Sequence, residues 1–190
     1  WTGEEFRKFI DSVMNKRLSY MAFMTLYWTG MRLGELLALN PKDVDLKKRT
    51  ISITKSYQRL GKKDVITPPK TPKSKRVITI PEFLAADIKD YMDSLYDLQE
   101  NDRLFPITKY YLEHEMQRGI KESGVKRIRV HDLRHSHASM LIELGFSPLE
   151  IANRLGHEKV ETTLNTYAHL YPNKQTKLAE RLDSEYKGDL

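Results

Sequence analysis

Cysteine is absent from the 190 residues of this sequence. Thiolate metal sites and cysteine nucleophiles are therefore excluded, and the absence fits a reducing compartment. The sequence also lacks any apolar run approaching the roughly 20 residues that a membrane helix needs, and its N-terminus has no signal-peptide pattern. Charged residues make up 31% and the mean hydropathy is -0.59, which predicts a soluble globular protein with one sizeable core.

Positive charge is in modest excess and is clustered. The net charge is +6 and the pI about 9.3, a mild bias toward polyanions. Many basic proteins never bind nucleic acid, so the clustering is the more informative feature. Such clusters are typical of a surface that neutralises backbone phosphates. Two stretches carry them: Lys62, Lys63, Lys70, Lys73, Lys75 and Arg76, then Lys121, Lys126, Arg127 and Arg129.

Helix start and stop signals recur along the chain. Thr2 and Glu5 have the spacing of a capping box, and a sequence that opens on a cap suggests a domain excised from a longer protein. Gly30 and Gly124 are predicted helix terminators. Arg32 begins a short helix, where Glu35 is placed to brace or neutralise it. The predicted helices of this part of the chain cover residues 2–13, 19–29, 33–39, 81–98 and 108–122.

Alternating apolar and polar residues predict three strands, over residues 50–54, 63–67 and 76–80. The simplest assembly is a three-stranded antiparallel meander with a turn at Gly61. The proline-rich loop before the third strand carries Lys70 and Lys73, which are either solvated or delivered at a strand edge to a ligand. The fold class is therefore mixed α/β (α+β), mainly helical with a small three-stranded antiparallel sheet, in a single domain over residues 1–190.

The stretch 129–171 concentrates cationic, imidazole and phenol side chains at the predicted ends of helices. His131 and Arg134 lie on one helical turn, where a helix N-terminus and a guanidinium both favour an anion. Ser147 and Glu150 have the spacing of a capping box at the start of a later helix, and Gly156 ends that helix and leaves His157 at an exposed corner. Two helices with a tight corner also describe a DNA-reading helix-turn-helix, which remains the competing interpretation. Tyr167 follows in a polar, threonine-rich segment.

The remaining histidines of this stretch do not form a recognisable metal site. His131 and His135 have the i,i+4 spacing of metal ligands, but no glutamate lies between them and no third ligand is evident. We therefore predict no metal and no cofactor. His135 and His137 are interpreted as packing or hydrogen-bonding residues, and the role of His169 stays open.

Five short motifs in order resemble the tyrosine recombinase (phage integrase) family, closest to integrases of phages and of conjugative or transposon elements. They are T-G-M-R-L-G-E-L, P-K-T-P-K-S-K-R, H-D-L-R-H, L-G-H and T-T-L-N-T-Y-A-H. The resemblance covers almost the whole chain and implies the catalytic-domain fold of that DNA breaking-rejoining family. The family's N-terminal DNA-binding domains have no counterpart in this sequence. It also implies that Tyr167 is the nucleophile, that Arg32 and Arg134 bind the phosphate, and that His131, His157 and Lys70 complete the site. Lys73 is the alternative to Lys70.

The implied chemistry is physically consistent. A phenol with a pKa of about 10 is a weak nucleophile at neutral pH and needs cationic surroundings or a base. His131 is expected to accept the proton of Tyr167, His157 to donate to the phosphate, and the lysine to protonate the leaving 5′ oxygen. The resemblance implies a covalent 3′-phosphotyrosine through which a site-specific recombinase integrates or excises a mobile element. The rival phenols are Tyr110, Tyr111, Tyr171 and Tyr186.

Two other functions remain open at this stage: a non-catalytic helix-turn-helix DNA-binding module and a type IB topoisomerase. The resemblance implies double-stranded DNA as partner, a homo-oligomer that is a tetramer in synapsis, and an accessory directionality factor. It further implies exchange of residues 172–190 between protomers. The expected location is the bacterial cytoplasm, in association with the nucleoid when bound and with no membrane partner.

Overall fold

The computed structural model describes residues 1–61, 63–69, 71–171 and 175–187, with the backbone alone for 175–178 and 187. Lys70, the predicted strand-edge lysine, lies outside the described residues. The described part is mainly helical with a small antiparallel sheet, as predicted. Its helices are α1 Gly3–Val13, α2 Arg17–Thr29, α3 Leu33–Leu37, α4 Glu82–Asp93, α5 Lys109–Ser123, α6 Asp132–Glu143, α7 Pro148–Leu155, α8 Val160–Tyr167 and α9 Gln175–Lys187.

The main core forms where α1, α2 and α5 pack together. The Thr2 hydroxyl accepts from the Glu5 amide and the Glu5 carboxylate accepts from the Thr2 amide, so the predicted capping box is confirmed. Nearly all of α2 is buried, and the Phe6 ring of α1 stacks on Tyr27 with 3.7 Å between ring centroids. Each fully buried aromatic side chain contributes about 2 kcal/mol, so this helical layer is a rigid base for the segments that follow.

The strands are β1 Val44–Asp45, β2 Thr50–Ile53, β3 Ser56–Leu60, β4 Lys63–Thr67 and β5 Arg76–Thr79. They form a three-stranded sheet in the order β1-β2-β5 and a separate hairpin of β3 and β4. The meander over 50–54, 63–67 and 76–80 was therefore wrong. Leu60 pairs with Lys63, only three positions later in the sequence, so β4 is matched locally to β3, and β2 is left to pair with β5.

Two further boundaries test the helix signals. α5 begins at Lys109 after its cap Thr108 and ends before Gly124, as predicted. α4 ends at Asp93 rather than near residue 98. The Ser94 hydroxyl donates to the Tyr91 carbonyl at 2.6 Å, and Asp97 has a φ of +51°, which no helix continues through.

The segment from α6 to α8 folds as a corner against α2. Ser147 caps α7 with the predicted capping box, and Gly156 ends it with a φ of +68°. A second, smaller core fills the corner and includes the ring of Tyr167, which is 4% exposed. Its other buried members are Ala138, Ile142, Ile151 and Leu155. The phenol of α8 is thereby held between α6 and α7.

Among the described residues, no helix combines the length and the apolar character that crossing a membrane requires.

Candidate active site

Arg134 holds the end of one helix against the end of another. Its guanidinium, in the first turn of α6, donates to the carbonyl of Gly30 at 2.8 Å and to that of Leu155 at 2.7 Å. The residue is 5% exposed. Burial and the charges of Arg32 and Arg76 lower the pKa of Arg134 to about 9, so the group is still cationic at neutral pH.

Arg32 reaches the same corner from the other side. It immediately precedes α3 and donates to the Glu35 carboxylate at 2.9 Å, while its second terminal nitrogen lies 3.5 Å from the Gly156 carbonyl. The side chain is 38% exposed, unlike that of Arg134. The structure therefore directs two predicted site arginines to the consecutive carbonyls of Leu155 and Gly156, with Arg32 still accessible to a ligand.

Arg76 is a buried part of this cluster that sequence reasoning assigned to the exposed basic stretch. Its guanidinium donates to both oxygens of Glu35, at 3.1 and 2.9 Å, and to the Arg154 carbonyl at 2.8 Å. Burial by itself raises the pKa of the Glu35 carboxyl. The hydrogen bonds and charge of Arg76, followed by those of Arg32, outweigh burial and hold that pKa below its usual value.

His157 lies directly after α7, beside the two carbonyls that the arginines hold. Its Nδ1 is 2.8 Å from the hydroxyl of Thr163, a fully buried residue of α8, so the orientation of the ring is fixed. Burial, with the charges of Arg134 and Arg32, lowers the pKa of His157 to about 4. The ring is therefore neutral at physiological pH, and Nε2 is the polar atom that remains beside the Nδ1 contact.

The hydroxyl of Tyr167 contacts His135, a residue that the sequence assigned to packing or hydrogen bonding. The Oη–Nδ1 distance is 2.6 Å. His131 stands behind His135, with 5.4 Å between ring centroids at an angle of 85°. The structure thus gathers Arg32, Arg134, His157 and Tyr167 around the α7–α8 corner and places His131 one ring further out. The signal for His135 was its helical spacing to Ala138 and Ile142, which face the same core.

Lys73, in the proline-rich loop, also approaches the α7–α8 corner. The Lys73 ammonium is exposed and donates to the carbonyl of Glu158 at 2.9 Å, one residue beyond His157. This contact brings the lysine loop next to the predicted site. The rival phenol Tyr171 packs against the smaller core, and Tyr110 and Tyr186 are 77% and 93% exposed.

A broad groove opens beside Arg32 and His131. Its volume is about 1540 Å³, and α3, β3, α5 and residues 127–132 form its walls. Arg59, Lys109, Arg127 and Arg129 add positive charge to these walls. No group of three or more metal-ligating side chains occurs in the part of the chain that the structure describes. The groove is wide and cationic, and the arginine cluster lies at one end of it.

Comparison with solved structures identifies the class of the fold. The chain matches the transposon Tn1549 integrase, a structure in complex with circular intermediate DNA, with a TM-score of 0.80 and 22% identity over 98% of this chain and 66% of that one. It matches the catalytic domain of bacteriophage HP1 integrase with a TM-score of 0.66 and 20% identity, over 97% of this chain and 94% of that one. The fold is that of tyrosine recombinase catalytic domains, as predicted.

Sequence comparison narrows this class. The model of the phage integrase family matches residues 2–174, and the chain belongs to that family. The ICEBs1 integrase of Bacillus subtilis (strain 168) is 36% identical over 197 residues, which cover 96% of this chain and 54% of that protein. The chain spans about half the length of the curated relatives that it matches. The predicted family resemblance is confirmed.

Proposed function

We propose that residues 1–190 are the catalytic domain of a site-specific DNA recombinase that integrates or excises a mobile element. The observation that carries this proposal is the convergence of Arg32 and Arg134 on adjacent carbonyls next to His157, with the phenol of Tyr167 packed into the same corner. Two guanidiniums and a neutral imidazole in one place suit a phosphodiester whose oxygens gain charge during displacement. The ICEBs1 and Tn1549 proteins are integrases by name, which supports the same conclusion.

The proposed reaction is transesterification through Tyr167. Its Oη attacks the phosphorus, the bond to the 5′ oxygen breaks, and a 3′-phosphotyrosine conserves the bond energy for rejoining. Arg32 and Arg134 stabilise the phosphoryl oxygens, and His157 donates from Nε2 in a tautomer whose Nδ1 accepts from Thr163. His131, exposed on the groove wall, completes the set. The leaving oxygen takes its proton from Lys70 or Lys73.

The groove supports double-stranded DNA as the substrate. Its basic walls lead to Arg32, so a duplex lying in it brings a backbone phosphate to the arginine cluster. The helix-turn-helix alternative is disfavoured by α7 itself. The exposed residues of this fully described helix are Leu149, Glu150 and Asn153, none of them basic, and Arg154 donates inward to His137, Thr79 and Trp28.

The greater length of the relatives supports further DNA-binding domains outside this chain. Membership of the phage integrase family supports a bacterial cytoplasmic setting on nucleoid DNA. α9 carries Leu182 and Tyr186, which are 62% and 93% exposed, on a helix at the end of the fold. We infer that residues 172–190 are exchanged between protomers of a DNA-bound tetramer, with a separate factor setting direction. Deletion of 172–190 should leave cleavage by the monomer intact and abolish synapsis of two duplexes; unchanged synapsis would refute the exchange.

The experiment that tests the activity is covalent capture on a nicked suicide DNA substrate carrying a candidate attachment site. The unsubstituted protein should form an adduct that survives denaturing electrophoresis. Tyr167→Phe should form none while it retains DNA affinity, and Tyr171→Phe, the matched control, should form adduct normally. Adduct from Tyr167→Phe would reject the nucleophile, and binding without adduct would favour a DNA-binding module. Relaxation of supercoils at many sequences without synapsis would favour a topoisomerase.

A 5′-thio leaving group identifies the acid, because a thiolate departs without a proton. Lys70→Ala and Lys73→Ala are compared on oxygen and sulfur substrates. The variant whose slow cleavage is restored by sulfur has lost the acid. Restoration of neither variant would exclude both lysines.

A further inference from the structure

The hydroxyl of Tyr167 has a specific partner that no assigned role explains. His135 Nδ1 lies 2.6 Å from Oη, and the two rings are 5.7 Å apart between centroids. His135 is half-buried, so the contact is not a chance encounter of two surface side chains. The geometry is that of a nucleophile in direct hydrogen-bond contact with a nitrogen base.

We propose that His135, rather than His131, is the base that takes the proton of Tyr167 when Oη attacks the phosphorus. The proposal rests on the proposed function. The Oη–H bond breaks and its proton moves to Nδ1, while Oη forms the bond to phosphorus and the bond to the 5′ oxygen breaks with a proton from the lysine. In rejoining, the 5′ hydroxyl returns its proton to the lysine and attacks the phosphorus, the bond from phosphorus to Oη breaks, and Oη recovers its proton from His135.

The packing fixes this contact in place. His135 lies on the face of α6 that also carries Ala138 and Ile142, three and seven residues on, and both pack in the smaller core with the Tyr167 ring. The phenol therefore cannot slide along α6 without opening that core. A hydrogen bond held by packing on both sides keeps donor and acceptor aligned before the substrate arrives.

The neighbouring groups make His131 and His157 poorer candidates. The His131 and His135 rings meet edge to face, His131 faces the groove, and burial lowers the pKa of His131. His157 uses Nδ1 to contact Thr163. The titratable groups around His135 are Asp132 and His131 on its own helix, His157 from the corner after α7, and Tyr167 from α8.

The phenol requires such a base. Burial raises the pKa of Tyr167, and the charge of Arg134 offsets only part of that effect. At neutral pH the hydroxyl is therefore protonated more completely than a solvated tyrosine. Without a base in contact, the attacking oxygen would carry its proton into the transition state.

The test first replaces His135 and then makes the phenol at position 167 more acidic, so that it needs a base less. His135→Asn keeps a hydrogen-bonding atom near the position of Nδ1 but removes the base. We expect adduct formation on the suicide substrate to slow by about 100-fold with DNA affinity unchanged, while His169→Asn, at an exposed histidine, cleaves normally. A more acidic 2,3-difluorotyrosine incorporated at position 167 should then accelerate His135→Asn by a larger factor than it accelerates the unsubstituted protein.

The possible outcomes distinguish failure of His135 as the base from failure of the proposed recombinase function. Equal acceleration of both proteins, or selective acceleration of His131→Asn, would overturn His135 as the base while leaving the recombinase intact. No adduct from the unsubstituted protein would overturn both. A second measurement needs no substitution at position 135: ¹⁵N-histidine spectra of the folded protein should show an unprotonated Nδ1 that loses its hydrogen bond in Tyr167→Phe. A protonated Nδ1 donating to Oη would also overturn the assignment.

Discussion

Glu35 and Arg76 form a two-pronged ion pair in the interior, with side chains 3% and 6% exposed. The same carboxylate accepts from Arg32, so one negative charge connects an inner guanidinium to one that faces the groove. The pair joins α3 to β5 through two residues that are 41 positions apart in sequence. The position of Arg32 therefore depends on a contact that is remote from any ligand.

Neutralising Glu35 should be costly. Glu35→Gln leaves Arg76 buried without a counter-charge and should lower the free energy of unfolding by about 3 kcal/mol. Urea denaturation measures the change. Glu4→Gln is the control, because its carboxylate pairs with Lys8 at the exposed surface and should have no measurable effect. Equal stability of the two variants would contradict the ion pair's structural role.

Two glycines with nearly equal φ allow the effect of backbone strain to be distinguished from the effect of packing. Gly124 and Gly156 both end helices, at φ values of +70° and +68°. An added Cβ meets nothing within 4 Å at Gly124, but at Gly156 it lies 2.9 Å from Arg76 Nη1 and 3.2 Å from the Lys73 carbonyl. Gly124→Ala should lose about 1 kcal/mol from the left-handed backbone, and Gly156→Ala clearly more. Equal losses in thermal or urea unfolding would show that the Gly156 corner is loosely packed.

Acid should destabilise the protein through His137. This ring is 1% exposed and accepts from Arg154 Nε at 2.9 Å, and burial followed by the Arg154 charge lowers the pKa of His137 to about 3 from 6.5. Between pH 6.5 and pH 3 the His137 ring binds a proton in the unfolded chain but not in the folded one. The contribution of neutral His137 to the free energy of unfolding is therefore fully present above pH 6.5. It falls with decreasing pH, by up to about 1.4 kcal/mol per pH unit for this proton.

Urea titrations at pH 7, 6 and 5 measure that slope. His137→Gln should reduce it by about one proton, whatever the variant's absolute stability. His157, whose pKa is about 4, adds a second contribution of the same sign. An unaltered slope in His137→Gln would exclude His137 as the source.

The groove should carry the salt dependence of DNA binding. Arg127 is exposed on its wall, and Arg127→Ala should lower affinity and reduce the slope of log K against log salt by about 1. Lys47→Ala removes the same charge from an exposed site outside the groove and should leave the slope unchanged. Binding titrations between low and moderate salt measure both. Identical slopes for the two variants would move the DNA away from this surface.

The elements that the sequence predicted correctly are those governed by neighbours in the chain. The capping boxes at Thr2 and Ser147 and the stop at Gly30 depend on contacts within four residues. The strand pairing was wrong because β3 and β4 are close in the sequence and pair with each other, whereas the predicted meander included no strand over residues 56–60.

The site illustrates the same limit at longer range. Motif order nominated Arg32, Arg134, His157 and Tyr167, and their catalytic roles stay predictions. The burial of Arg76 and the partner of His135 were missed for a physical reason. Their partners Glu35 and Tyr167 lie 41 and 32 residues away, and only the docking of β5 and α8 brings them into contact. Residue type predicted a surface cation and a packing or hydrogen-bonding ring. Tertiary structure made the first a buried counter-ion and gave the second its partner, the hydroxyl of Tyr167.

The grip of Arg134 on Gly30 and Leu155 has a thermodynamic consequence. A long side chain that is frozen by two carbonyls in the free protein has already lost its rotamer entropy during folding. Arrival of a charged ligand then immobilises little more, and the attraction is offset by a smaller entropic penalty than a floppy guanidinium would incur. Because Arg134 is already held rigidly at the end of α7, part of the entropic cost of ligand binding is met during folding.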